Sequence, residues 1–282
     1  MNKKRFWIIA AAIAAAVLVA LLIWGNWALT VSEYVVTDGE IPQAFSGFRI
    51  VQVSDLHNTE FGTDNGKLLE LVKEAEPDII VITGDMVDSR RTDLQVALSF
   101  AQQAAQIAPC YYVPGNHESR IAQYGKLKDG LEEAGVVVLE NERVTLTAQG
   151  ESVTLLGVLD PTFFGAYVEK DTAPVMAENL DGLGCGTEEY EILLAHRPEL
   201  FEVYAEKSAE LVLCGHVHGG QIRLPFVGGL YTPGQGLFSE YDAGVFTKDG
   251  TTMIVSRGLG NSLFPLRVNN PPELVVVRLE RE

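Results

Sequence analysis

Five short apolar, β-prone runs recur along the chain, and each one stops at a polar cluster. Arg49–Val53 leads to Ser54, Asp55, Leu56 and His57, and Ile79–Ile82 leads to Thr83, Gly84 and Asp85. Cys110–Val113 leads to Pro114, Gly115, Asn116, His117 and Glu118; Ile192–Leu194 leads to Ala195 and His196; Leu211–Leu213 leads to Cys214, Gly215, His216, Val217, His218 and Gly219. Between the early runs the apolar spacing changes to a helical period. Leu68, Leu71, Val72 and Ala75 follow a Thr63-Asp64-Asn65 start signal and stop before Pro77, and Leu94, Ala97, Leu98, Ala101, Ala104 and Ala105 follow a cap at Thr92 or Asp93. A third helix is predicted to run to about Gly135, and a fourth over Glu199–Glu206 with Pro198 in its first turn.

Strand and helix in alternation predict a mainly parallel sheet with right-handed crossovers. Later runs lack intervening helices: Val136–Leu139, Val144–Thr147, Val153–Leu156, Thr252–Ser256 and Leu274–Leu279. These suit a second, more antiparallel sheet. The predicted fold class is α/β, two mixed sheets packed face to face with helices outside. Asp160–Gly186 has little periodicity and is expected to be a loop-rich, mobile segment.

The first thirty residues follow another rule. After Lys3, Lys4 and Arg5, the nineteen residues Phe6–Trp24 carry no charge, enough at ~1.5 Å per residue to cross a hydrocarbon core of ~30 Å. Residues 1–28 are therefore expected to form a single-pass membrane anchor, with the basic cluster cytoplasmic, Trp24 and Trp27 at the far interface, and a domain of residues 29–282 outside the cytoplasm. Secretion after signal-peptide cleavage is the alternative. The small-residue pattern Ala14-Ala15-Ala16 lies inside the apolar run rather than after it, which favours the anchor. Thr30–Val36 reads as a strand, so few residues would separate membrane from domain.

The formal charge is −17, and without the three basic residues of the N-terminus 18 basic side chains face 38 acidic ones. Such a surface excludes a nucleic-acid backbone as the main partner. No protein partner is inferable. The cysteines, Cys110, Cys185 and Cys214, are odd in number and show no Cys-x-x-Cys spacing, so neither a disulfide framework nor a thiolate zinc site is indicated.

In open α/β sheets ligands bind beyond the carboxyl ends of strands, and all five histidines of the chain fall at such ends, with Asp55, Asp85 and Asn116. A His-x-His pair alone is common by chance. In an extended loop, however, His216 and His218 face one cavity, and the full set exceeds what one cation needs. It fits two divalent ions sharing a bridging carboxylate, the arrangement used in phosphoryl transfer. Mixed oxygen and imidazole donors suit Mn²⁺, Fe²⁺/Fe³⁺ or Zn²⁺ without choosing among them.

The ordered blocks D-x-H, G-D, G-N-H-D/E, a lone His and G-H-x-H resemble the calcineurin-like metallophosphoesterase superfamily. The longer run Gly215–Pro225, with Ser256–Gly260 downstream, looks like its branch of membrane-associated or exported bacterial phosphodiesterases. The resemblance implies the αββα sandwich of the metallophosphatase fold. It implies that Asp55, His57 and His218 hold one metal, Asp85 bridges, and Asn116, His196 and His216 hold the other. His117 would act near the leaving group as general acid or charge stabiliser. Glu118, where Asp is commoner in the family, would orient His117. Arg223, Arg257 and Arg267 are candidates to hold a second anionic group of the substrate. Two cations lower the pKa of a shared water toward ~7, providing a nucleophile for in-line attack at phosphorus. The expected activity is phosphodiester hydrolysis, with a lipid or envelope polymer as substrate because of the tether. The alternatives are a metal-containing binding scaffold that no longer catalyses and a metallo-β-lactamase-type hydrolase. The latter requires a His-x-His-x-Asp-His block early in the site, whereas here His216 and His218 come late and are followed by glycines.

Overall fold

A computed structural model describes residues 2–186, 190–232, 235–261 and 266–282. In chain order its elements begin with helix α1 (Lys3–Trp27), strands β1 (Thr30–Asp38) and β2 (Arg49–Val53), α2 (Gly66–Glu74), β3 (Ile79–Thr83), α3 (Leu94–Ala104), β4 (Cys110–Val113) and α4 (Tyr124–Glu133). There follow β5 (Val136–Val138), β6 (Glu142–Ala148), β7 (Glu151–Gly157), α5 (Glu169–Leu183), β8 (Glu191–Leu194), α6 (Phe201–Glu206) and β9 (Leu211–Cys214). Two small hairpins, β10 (Arg223–Leu224) with β11 (Gly228–Gly229) and β12 (Tyr231–Thr232) with β13 (Gly236–Leu237), precede β14 (Gly244–Lys248), β15 (Thr251–Val255) and β16 (Glu273–Arg281).

The strands form two six-stranded sheets, in the orders β1-β16-β2-β3-β4-β5 and β14-β15-β9-β8-β7-β6. Strands β2 to β5 are parallel, as are β7, β8, β9 and β15, while β6 and β14 close the second sheet antiparallel. The central strands are apolar on both faces because both faces are covered. Along β3, Ile79 and Val81 point into the core between the sheets, and Ile80 and Ile82 point into the core under helices α2 to α4. Along β9, Leu211 and Leu213 face the same inter-sheet core, while Val212 and Cys214 face the core beneath α5 and α6. Three apolar layers thus separate four layers of structure, helix on sheet on sheet on helix.

Three expectations are corrected. Strands β5 and β16 belong to the first sheet, not the second, and β16 lies between β1 and β2, parallel to one and antiparallel to the other. A run of apolar residues marks a strand without saying which sheet supplies its neighbours. The segment Asp160–Gly186 is largely helix α5, which buries Met176, Leu180 and Leu183 against the second sheet. Pro174 inside the helix and Gly182 near its end disguise it in the sequence.

Helix α1 is long and apolar enough to cross a membrane. Only Ala28 and Leu29 separate it from β1.

Candidate functional site

Each polar cluster lies at the carboxyl end of its strand, and the two sheets bring those ends together at one edge of the sandwich. Gln52, buried between the sheets, donates through Nε2 to Thr83 Oγ1 at 3.0 Å in the first sheet and to the Cys214 carbonyl at 2.8 Å in the second. The loops above continue this stitching, with Asp55 N donating to the Gly84 carbonyl and His57 N to that of Asp85, both at 3.0 Å. Close approach demands glycine. A Cβ at Gly84, whose φ is +86°, would lie 2.7 Å from Gly115 Cα and from His196 Nδ1. Asp55, His57, Asp85, His216 and His218 themselves adopt left-handed backbone conformations, strain of the kind stored where a site must be held in shape.

Two groups of donor atoms result. His57 Nε2 faces His218 Nε2 at 3.1 Å, and Asp55 Oδ1 lies 3.5 Å from the latter. In the second group, His196 Nε2 has Asn116 Oδ1 and His216 Nδ1 each at 3.2 Å and Asp85 Oδ2 at 3.3 Å. Asp85 Oδ2 also lies 3.7 Å from His57 Nε2, so one carboxylate oxygen stands between the groups. All of these side chains are buried or nearly so. Two buried imidazole nitrogens facing each other with a carboxylate alongside need a proton or a cation to relieve their lone pairs, and a divalent ion fits that donor set. Asp55, His57 and His218 form one cluster able to hold a metal, and Asp85, His196 and His216 another.

The electrostatics follow from burial. Desolvation pushes the His57 ring down to about 3 despite the Asp85 charge. Burial, then the charges of Arg197 and His196, hold His216 well below its ordinary value; burial, then His57 and Arg267, do the same for His218. These rings present lone pairs. His196 is the exception: burial is overridden by Asp85, and the ring is raised to about 10. Asp85 is correspondingly held well below the carboxylate range, its desolvation outweighed by His196, His117 and His57. Burial raises Asp55 to about 6.

Outer contacts select the nitrogen that faces the site. The Thr83 carbonyl lies 2.8 Å from His196 Nδ1 and accepts its N–H, turning Nε2 toward the site as the nitrogen a cation would take. Glu199 Oε1, 3.7 Å from His216 Nε2, occupies the equivalent place for His216, whose Nδ1 points inward. Ser89 N donates to His117 Nδ1 at 3.0 Å, which puts the proton of the neutral ring on Nε2. Burial, against the charges of Asp85 and Asp88, lowers the His117 pKa and favours that neutral form.

Glu118 does not serve as the orienter of the His117 ring. Its carboxylate accepts from Gly115 N at 2.7 Å, Asp85 N at 2.9 Å and Val87 N at 3.2 Å, clamping the loops after β3 and β4 together. Burial, then the Asp85 charge, raises it to about 8. The ring of His117 is set instead by Ser89 and, at 3.7 Å, by Asp88.

The site opens into a cleft of about 650 Å³. Asp85, Asn116, His117, His216 and His218 form its floor, Arg90, Arg120 and Arg197 supply positive charge, and Tyr167, Val168, Leu237, Phe238 and Tyr241 supply apolar surface. Arg223, Arg257 and Arg267 do not line it. Arg223 is held by the Gly219 carbonyl and Asp242, and Arg257 by Glu273. Arg267 is fully buried behind His218, with Nη2 3.3 Å from that ring's Nδ1. No local pattern in the sequence marks the cleft arginines, although Arg197 follows His196 directly. Only the fold shows that Arg197 pairs with Asp160 at 2.7 Å and Glu199 at 2.9 Å in the cleft wall.

A model of the calcineurin-like phosphoesterase domain matches residues 48–220, the stretch that carries every one of these donors. The chain belongs to that family. It is similar to the uncharacterized metallophosphoesterase YkuE of Bacillus subtilis, 31% identical over 88% of this chain and 85% of the relative. It is also similar to phosphodiesterase YaeI of Escherichia coli, 29% identical over 82% of each chain. Among solved structures, TT1561 of Thermus thermophilus shares the fold with a TM-score of 0.50 at 14% identity, over 74% of this chain and 89% of that one. Family membership and the donor clusters together make this a metal-dependent phosphoester hydrolase.

Proposed function

We propose that the protein is a dinuclear phosphodiesterase, tethered to a membrane by residues 1–28, whose domain of residues 29–282 hydrolyses phosphodiesters of a lipid or envelope polymer outside the cytoplasm. The observation that carries the two-metal reading is Asp85 Oδ2, 3.3 Å from His196 Nε2 and 3.7 Å from His57 Nε2, a single oxygen shared by two donor groups. Asp55, His57 and His218 would hold one cation and Asn116, His196 and His216 the other, with Asp85 common to both. Manganese, iron and zinc all suit these donors. Such a pair supplies Lewis acidity and a water acidic enough to lose its proton near neutral pH.

The chain's own residues do the rest. His117 Nε2–H, 4.0 Å from Asp85 Oδ2 at the cleft floor, is placed to give its proton to the leaving oxygen. The fixed N–H of Ser89 maintains the tautomer that makes this donation possible. Arg120 attracts the anionic ester in spite of the acidic surface, since charges more than ~8–10 Å away are screened by salt. The apolar wall of Tyr167, Leu237 and Phe238 accommodates a hydrocarbon or other apolar arm, which supports a lipid-like ester over a compact soluble one.

Metal-loaded protein should hydrolyse bis-p-nitrophenyl phosphate, bind two equivalents of Mn²⁺, and turn over an envelope lipid fraction faster than a nucleotide panel. His117→Ala should reduce kcat by about 10²–10⁴-fold with metal content unchanged. Asp85→Ala should lose both metal and turnover. Fewer than two equivalents bound, or no turnover with any divalent ion, would favour a scaffold, and faster nucleotide turnover would reverse the substrate assignment.

A further inference from the structure

The hairpin β10–β11 has an apolar tip that stands exposed among the described residues. Leu224, Pro225, Phe226 and Val227 are all exposed, Phe226 completely. Phe226 also has a φ of +67°, a conformation unfavourable for a bulky L-residue. No carboxylate occurs between Ile222 and Leu230, in a chain with 38 of them.

Position gives the tip its meaning. Near the end of α1, Asn26 Oδ1 accepts from Arg267 N at 3.0 Å, and its Nδ2 donates to the Arg267 carbonyl at 3.2 Å. The segment so gripped pairs in turn with the base of the hairpin. Arg223 N donates to the Val268 carbonyl at 3.0 Å, Val268 N to that of Gln221 at 3.2 Å, and Asn269 Nδ2 to that of Arg223 at 3.3 Å. Two hydrogen-bonded steps therefore join the end of the membrane-crossing helix, where Trp24 and Trp27 are exposed, to the hairpin.

We propose that the Leu224–Val227 tip inserts into the lipid bilayer beside the end of α1, as a second membrane contact that fixes how the domain sits on the surface. This rests on the reading of α1 as an anchor. The contact is hydrophobic rather than electrostatic: the chain's charge of −17 is repelled by an anionic leaflet, and the one cation of the hairpin, Arg223, is occupied by Asp242. The bilayer is favoured over a second copy of the chain because the base of the hairpin is joined through residues 267–269 to the end of the helix read as the anchor. The contact also orients the cleft. Leu230 N donates to the Ile222 carbonyl at 2.7 Å and Phe238 N to that of Leu230 at 3.1 Å, so the lobe that carries the tip also carries Leu237 and Phe238 into the cleft wall. A substrate held in the bilayer is then presented to the apolar side of the cleft.

The test uses the full chain in lipid nanodiscs, with Cys185→Ser to leave only the buried Cys110 and Cys214. Spin labels are placed by Ala15→Cys in α1, Phe226→Cys at the tip and Val245→Cys on the exposed edge strand β14. Power saturation with oxygen and a nickel chelate is expected to place labels 15 and 226 in lipid and label 245 in water. Label 226 in water while label 15 is in lipid overturns the wedge alone. Label 226 shielded from both reagents points to a protein partner and also overturns it. Label 15 in water overturns the anchor and the wedge together. Separately, Phe226→Ser with Val227→Ser is expected to lower turnover of a nanodisc-held phosphodiester lipid about tenfold or more. Hydrolysis of soluble bis-p-nitrophenyl phosphate should be unchanged. An equal effect on both substrates overturns the proposal, whereas loss of the soluble activity in the unaltered chain would sink the catalytic reading and leave the label depths intact.

Discussion

A ring nitrogen becomes a ligand or a proton donor according to what its partner nitrogen touches, and in this cleft the outer contacts differ from ring to ring. The Thr83 carbonyl holds the Nδ1 proton of His196, so Nε2 is the nitrogen a cation would take, and the Ser89 amide leaves His117 Nε2 protonated. Because Asp85 raises His196 to about 10, the ring carries an extra proton throughout the neutral range when no cation is present. A cation must displace that proton, so affinity should rise with pH up to about that value and fall as the solution is acidified. Calorimetric titration of Mn²⁺ into metal-free protein at pH 7.5, repeated in buffers of different ionisation enthalpy, should report release of about one proton for the site containing His196. Absence of release would mean that His196 is already neutral. The donors themselves were legible in the sequence, since every histidine stands at the end of an apolar run. Ser89, Glu199 and Asp160 were not, because their roles are defined by contacts between loops far apart in the chain.

At the level of elements, the wall of the cleft depends on a pair that ties the segments beyond two adjacent strand ends, after β7 and β8. Arg197 Nε donates to Asp160 Oδ2 at 2.7 Å with both side chains buried, and Asp160 Oδ1 also accepts from Thr162 N at 2.9 Å. Asp160→Ala leaves a buried guanidinium with only Glu199 to balance it. It should destabilise the domain by about 3–5 kcal/mol, the range for breaking a buried ion pair from one side, as read by urea denaturation. A change below 1 kcal/mol would show that water replaces the carboxylate. The parallel strands β2, β3, β4, β8 and β9 could be read from sequence because a strand buried on both faces is a short, unbroken apolar run. Membership of β5 and β16 in the first sheet could not, because pairing partners leave no local trace. Helix α5 is hidden in the sequence for a different reason, its proline and glycine masking a face that the second sheet nonetheless covers.

For the molecule as a whole, both sheets contribute donors to one cavity, so cations bind only when the sandwich is closed. At a free-ion concentration about 100-fold above Kd, binding should add about 2.7 kcal/mol of stability, equivalent to a rise of roughly 5–11 °C in Tm for a domain of this size. Chelation should remove that rise, and an unchanged Tm would argue that the cavity binds its ions weakly. The closure has a temporal side as well. Strand β1, fed almost directly from α1, pairs along its whole length with β16, which also flanks β2, the strand that leads to Asp55. While the polypeptide is being made, the earliest strand waits for the last strand among the described residues, and until that partner arrives it is unpaired on both edges. A chain that stopped short of Glu273 would leave β1 with no partner and open the edge of β2, the strand that leads to Asp55.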